Sequence, residues 1–234
     1  MTKTDLLILG ATFYGCGMAA AAKGRVLVLD GNILPGWEFV LSLNPGRDYD
    51  EKSLRTDEAR GLYSRLREVN AISADGRVSL AGISEVFAER CLARHLPIEF
   101  GVDILRCDAT HIVAVTPSGV KEFEAERIVD VRPTAQGGKW LNAMITAPSV
   151  LPDGGKGPFV MRHSLIDGEA YLAFQVPLDS SWSEARAMFH RAWDLRPVTL
   201  KYSSIMLTAT RFDCRPFANP LVALDAGLCE EVAR

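Results

Sequence analysis

Asp5-Leu6-Leu7-Ile8-Leu9-Gly10-Ala11-Thr12-Phe13-Tyr14-Gly15, an alanine-rich run from Met18 to Lys23, Gly24, and then Arg25-Val26-Leu27-Val28-Leu29-Asp30 decide the fold. The two apolar runs are continuous rather than alternating. That pattern predicts strands buried on both faces, as in a parallel sheet. Between them a turn over Gly10–Gly15 leads into a helix that Gly24 stops. Strand, helix and strand together make one right-sized βαβ unit of about 30 residues.

The turn has a specific chemistry. Gly10 permits the tight exit from the strand, and Gly15 lets the helix lie close to the sheet. Thr12 stands where backbone must approach a pyrophosphate and where the motif expects glycine. The helix amino terminus presents free N–H groups and a partial positive charge to phosphates. Asp30 ends the second strand, placed to accept from a ribose diol. The other reading of the same residues is a turn that packs and binds nothing, since a Cβ at Thr12 holds a ligand away.

Outward from this unit, residues 31–50 carry Pro35, Gly36, Pro45 and Gly46 and read as an extended loop. Helices are expected over Leu54–Val69, with Leu62, Leu66 and Val69 inward, and over Ile83–Arg94, with Val86, Phe87, Arg90 and Cys91 in the periodic set. Strands are expected over Val102–Val115 and Val120–Val131, joined at Pro117-Ser118-Gly119. A loop-rich stretch, 134–158, precedes a hairpin: Phe159–Ile166, the turn Asp167-Gly168, then Glu169–Val176. Ser181 and Glu184 form a capping box that opens a helix with Ala185, Met188, Phe189, Ala192 and Trp193 on one stripe. Further strands are expected at Thr199–Thr208 and Leu221–Leu224.

Composition narrows the function classes. The 234 residues are 48% hydrophobic and 24% charged, which suits a globular chain with a full core. Lys+Arg 26 against Asp+Glu 29 leaves a net charge of −3 without a polybasic run, so a nucleic-acid partner is not expected. The apolar runs fall far short of the roughly 18 residues of a membrane span, and the first lacks a signal-peptide layout. Five cysteines without a C-x-x-C pair point to free thiols in a reducing compartment, hence the cytoplasm. The four histidines have no metal-ligand spacing, so no metal is expected.

Several segments together resemble the FAD-dependent oxidoreductases with a two-dinucleotide-binding-domain flavoprotein fold. Asp5–Asp30 resembles their first segment, and Pro35-Gly36-Trp37-Glu38-Phe39 their glycine-containing loop beside the flavin. Pro97–Leu105 resembles their helix-then-G-V-x-I-L segment, and Ala125-Glu126-Arg127-Ile128-Val129-Asp130 a strand written A-K-x-I-I-D-A-T-G. Asn219-Pro220-Leu221-Val222-Ala223-Leu224-Asp225-Ala226-Gly227 resembles the closing motif N-L-L-V-A-G-D-A-A-G. The resemblance implies an α/β, Rossmann-like FAD-binding fold with a small sheet-plus-helix substrate or cap insert. It implies an FAD-binding domain over 1–133 and 209–234 and a cap over 134–208. Gly10, Thr12, Phe13, Tyr14, Gly15, Asp30, Gly36, Glu38, Arg132 and Asp225 would face the cofactor. The chain departs from the pattern at Thr12, at Arg132-Pro133 in place of Thr-Gly, and at Leu224 in place of glycine. Those departures imply looser cofactor binding, completion of the site by a partner subunit or second copy, or a non-catalytic member of the fold.

The implied enzyme acts on a small organic substrate, and the hairpin holds its candidate residues. With a two-residue turn His163 lies opposite Leu172. Phe159, Met161, His163 and Leu165 then share a face with Ala170, Leu172, Phe174 and Val176. His163 reads either as an acid or base beside the flavin or as a hydrogen-bonded core histidine. The other face carries Arg162, Ser164, Glu169, Tyr171 and Gln175. If the helix opened by Ser181 covers the apolar face, Arg162, Tyr171 and Gln175 line the cavity and contact an anionic or polar substrate.

Overall fold

The computed structural model describes residues 2–135, 138–148, 150–214 and 216–230. In chain order the elements are β1 (Thr2–Leu9), α1 (Phe13–Ala21), β2 (Val26–Asp30), the one-turn α2 (Trp37–Val40), α3 (Asp57–Glu68), α4 (Leu80–Ala93), β3 (Ile98–Phe100), β4 (Asp103–Cys107), β5 (His111–Thr116) and β6 (Gly119–Asp130). There follow β7 (Lys139–Thr146), β8 (Gly154–Lys156), β9 (Phe159–His163), β10 (Glu169–Val176), α5 (Trp182–Asp194), β11 (Ile205–Thr208) and α6 (Pro220–Leu228).

The first sheet has the order β3-β2-β1-β6-β5-β4. β1 is central and runs parallel to β2 and to β6, with Leu9 beside Leu29 and Asp130. Its apolar run is explained by burial on both faces. Leu6 and Ile8 join the core formed with α1, α3, α4 and α6, while Leu7 and Leu9 join Leu29, Val102, Ile112 and Phe123 on the other side. β6 is long enough to serve twice: its first half pairs antiparallel with β5 and its second half parallel with β1.

The second sheet is antiparallel, in the order β11-β7-β10-β9-β8. Its inner face, with Phe159, Met161 and Leu172, packs on Ala185, Phe189 and Trp193 of α5. α5 begins with the capping box of Ser181 and Glu184.

Several expectations need correction. The hairpin loop spans residues 164–168 rather than Asp167-Gly168 alone, and His163 pairs with Ala170, not Leu172. A shift of two leaves every side chain on its face, because the strand repeat is two. The strand expected over Val102–Val115 is two strands, β4 and β5, which pair with each other. Val69 is exposed at the end of α3, and Arg90 pairs with Glu58 instead of entering the core. The first helix begins at Phe13, within the glycine turn. Thr199–Thr208 is a strand only from Ile205 onward. Leu221–Leu224 lies in α6, not in a strand: Asn219 caps that helix by accepting from the Val222 N–H, and Pro220 occupies its first turn.

α1 and α6 cross at glycines. A Cβ on Gly17 would lie 2.4 Å from the Leu224 carbonyl oxygen, and one on Gly227 would lie 2.1 Å from that of Tyr14. This contact seats α6 against the helix that follows the glycine turn.

Candidate functional site

Gly10 leaves β1 with φ +114°, which glycine alone adopts without strain. Thr12 is the N-cap of α1, and its hydroxyl accepts from the Gly15 N–H at 2.9 Å. The residue standing where the motif expects glycine thus supplies the cap. Gly15 is required by packing: a Cβ there would sit 2.3 Å from the Gly10 carbonyl oxygen.

Two further N–H groups of the turn are met by carboxylates, and that of Gly10 donates to the Leu29 carbonyl. The Ala11 N–H donates to Asp30 Oδ2 at 2.5 Å, and Trp37 Nε1–H donates to the same oxygen at 2.7 Å. Asp30 Oδ1 accepts from the backbone and the side chain of Asn32. The Phe13 N–H donates to Glu38 Oε1 at 2.7 Å. Trp37 and Glu38 reach the turn because Gly36, at φ +70°, starts α2 and donates its N–H to the Ala11 carbonyl. The Phe13 ring stacks on Phe87 at 4.0 Å, directly beneath Gly36. As a result the turn is buried except for Tyr14, with Thr12 2%, Asp30 4% and Glu38 6% exposed.

Glu38 is the electrically unusual member. Its Oε2 has no hydrogen-bond partner. Burial pushes its carboxyl up to about 8, against the pull of the Phe13 N–H and with a further push from Asp30. Beside the turn, Arg132 is half-exposed and forms two hydrogen bonds to Asp130, at 2.9 and 2.5 Å. Asp225 is engaged elsewhere: it accepts from the backbone of Arg55 and Thr56, the Thr56 hydroxyl and Arg55 Nε. Burial works against its charge, but those donors hold the carboxyl below its usual range. Its visible work is to tie α6 to the start of α3. Cys16 is buried in the core.

Away from the turn a cavity of about 400 Å³ opens between the outer face of the second sheet and the loop at 43–47. Arg47, Asn44, Trp140, Asn142, Arg162, Tyr171 and the 216–218 segment line it, and among the described residues no carboxylate does. Arg162 Nη1 donates to the Gly46 carbonyl at 2.7 Å. Tyr171 is buried, accepts from the Leu80 N–H, and has its phenol pushed up by burial. Buried Asp213 fixes the wall by accepting from Asn44 and Asn142, each at 3.1 Å. Gln175 is exposed and does not line this cavity. A second cavity of about 390 Å³ shares Gly46, Arg47 and Arg162, and reaches His163. His163 is half-buried, and its Nε2–H donates to the Leu151 carbonyl at 2.5 Å.

The structure therefore brings Gly10, Thr12, Phe13, Gly15, Asp30, Gly36 and Glu38 together, with Arg132 adjacent. It gathers Arg162 and Tyr171 at the cavity and engages Asp225 with Arg55 and Thr56. Sequence reasoning missed Asn44, Asp213 and the role of Trp37. Asn44-Pro45-Gly46 shows only a turn, and nothing local links Asp213 to it.

A pyrophosphate is the group this fold implies at the start of α1. The donor set suits it in kind, since N–H groups at a helix start already hold oxygen acceptors there. Those acceptors are the chain's own, with Glu38 standing in for an anion on Phe13.

No protein-family profile matches the chain, and no curated protein matches its sequence. Solved structures match its fold. One is the myxobacterial chondrochloren halogenase CndH, a variant of FAD-dependent halogenases, at 11% identity and TM-score 0.60 over 88% of this chain and 61% of that one. Another is the flavin-dependent halogenase CmlS, at 9% identity and TM-score 0.59 over 91% and 50%. A third is a geranylgeranyl bacteriochlorophyll reductase-like protein from Thermoplasma acidophilum, at 11% identity and TM-score 0.59 over 97% and 77%. This chain thus has the α/β fold of those proteins, and spans about three-fifths of the first and half of the second. Among its described residues no helix is long and apolar enough to cross a membrane.

Proposed function

We propose that this chain is a cytoplasmic FAD-dependent oxidoreductase acting on a small polar or anionic organic molecule. Residues 1–133 and 209–234 form its nucleotide-binding part and 134–208 its cap. Bound FAD would supply the electron transfer; the protein contributes placement, polarity and exclusion of water. The N–H groups of the Gly10–Gly15 turn, with Arg132 beside them, would hold the phosphates. Arg162 and Arg47 would attract the substrate's negative charge, Asn44 and Tyr171 would orient it, and Trp140 would wall one side.

One observation carries this reading. In a fold shared with FAD-dependent halogenases, a cavity of about 400 Å³ bears, among the described residues, two arginines and no carboxylate. The test is reconstitution: the purified chain is expected to take up FAD, show flavin absorption, and be bleached by a nicotinamide or chemical reductant. A chain that stays colourless at every FAD concentration overturns it.

The closed turn favours a second reading, a non-catalytic or partner-dependent member of the fold. Asp30, Glu38 and Asp225 are all engaged within the chain. On this reading the isolated chain takes up no flavin.

A further inference from the structure

We propose that Glu38 is a built-in occupant of the phosphate seat at the start of α1, and that a dinucleotide enters only as Glu38 leaves. The inference rests on reading the turn as a dinucleotide seat, and deepens that reading by giving Glu38 a part opposite in sign to the one the family resemblance implies.

Three N–H groups of the turn meet side-chain oxygens, and the three acceptors differ. The Thr12 hydroxyl is a local helix cap, kept whether or not a ligand is present. Asp30 accepts four hydrogen bonds and has no reason to move. Glu38 accepts one, and its second oxygen is buried with no donor. A carboxyl oxygen buried without a partner loses the hydration it would have in water. Glu38 is therefore the acceptor that gains by leaving. The Phe13 N–H has one place for an acceptor, so Glu38 and a phosphate oxygen exclude each other. Any charge on Glu38 adds repulsion to that exclusion. Gly36 lies against the Phe13 ring, which stacks on Phe87, so that side of the turn is fixed by packing and Glu38 is the displaceable part.

The test is calorimetric titration of the whole chain with FAD and with ADP, which carries the pyrophosphate without the flavin. Glu38→Ala is expected to bind both about tenfold more tightly than wild type, or better. Glu38→Asp, whose shorter side chain withdraws from Phe13, is expected to bind more tightly too, and decides the matter if the alanine variant does not fold. Folded variants that bind no better than a binding wild type overturn the role of Glu38 alone. If neither wild type nor the folded variants take up FAD or ADP, the dinucleotide reading of the turn falls with it.

Discussion

The glycine turn and the arginine-lined cavity are finished in opposite ways. At the turn, the N–H groups of Ala11, Phe13 and Gly15 all find oxygens from the same chain, and almost no surface is left. At the cavity, two guanidinium groups border an open volume that no carboxylate lines among the described residues; Arg47 pairs with Asp48 at 3.5 Å and Arg162 donates to the Gly46 carbonyl. A polar site satisfied from within gains little from a ligand unless something is displaced, because the hydrogen bonds are already made. A site whose charges border open volume gains from any ligand of opposite sign. The difference separates a region whose polar groups hold the fold together from one that borders open volume.

The hardest test of the closed turn is Gly15→Val. Its side chain would enter space held by the Gly10 carbonyl and Val131, and the expected loss exceeds about 4 kcal/mol. Urea denaturation measures it; near-wild-type stability would mean the turn is looser than described. Asp30→Ala comes next. It leaves the donors of Ala11, Asn32 and Trp37 without their acceptor, at about 3 kcal/mol. The resemblance alone assigns Asp30 to a ligand and expects little change in stability, so this variant sharpens the contrast directly.

The pH dependence follows from Glu38. Its carboxyl titrates near 8 in the fold and at the ordinary carboxylate value when unfolded. The unfolded chain therefore loses that proton first, so the contribution is full below about pH 4 and is lost as pH rises toward 8. Asp30 is the neighbouring carboxylate that raises Glu38. A fall on the order of 3 kcal/mol between pH 5 and 8 is expected. Melting curves across that range should show a slope that flattens in Glu38→Gln. The smallest effect belongs to the cavity: Arg162→Gln should cost about 1 kcal/mol of stability, its bond to the Gly46 carbonyl being among those it forfeits. The same variant should abolish any thermal shift that a small aromatic carboxylate gives the wild type. An unchanged shift would remove Arg162 from recognition.

Much of this architecture was legible in the residues. The runs Leu6–Leu9 and Val26–Leu29 read as doubly buried strands because both faces of β1 and β2 are covered. The faces of β9 and β10 were legible although their register was not, since register depends on a loop whose length composition does not fix. α6 was misread because Leu221–Leu224 is too short for its period to show; Asn219-Pro220 was the better sign. Of the sites, the glycine turn was visible, but the engagement of Asp30 and Asp225 was not. Their partners, Trp37 for one and Arg55 and Thr56 for the other, arrive through tertiary packing rather than from a neighbouring motif.

The crossing of α1 on α6 has a bearing on how the chain acquires its shape. Gly17 and Gly227 come from opposite ends of the described sequence, yet each fits only against the other helix's backbone. Contacts between such distant residues form slowly, because the long loop must close before they contribute anything. During synthesis β1, α1 and β2 leave the ribosome well before α6 is made. Until it docks, the flank of α1 that carries Gly17 stays bare to water and to other nascent chains. A transcript cut short before Pro220 should therefore yield a product that chaperones retain, even though every described strand of both sheets has been translated.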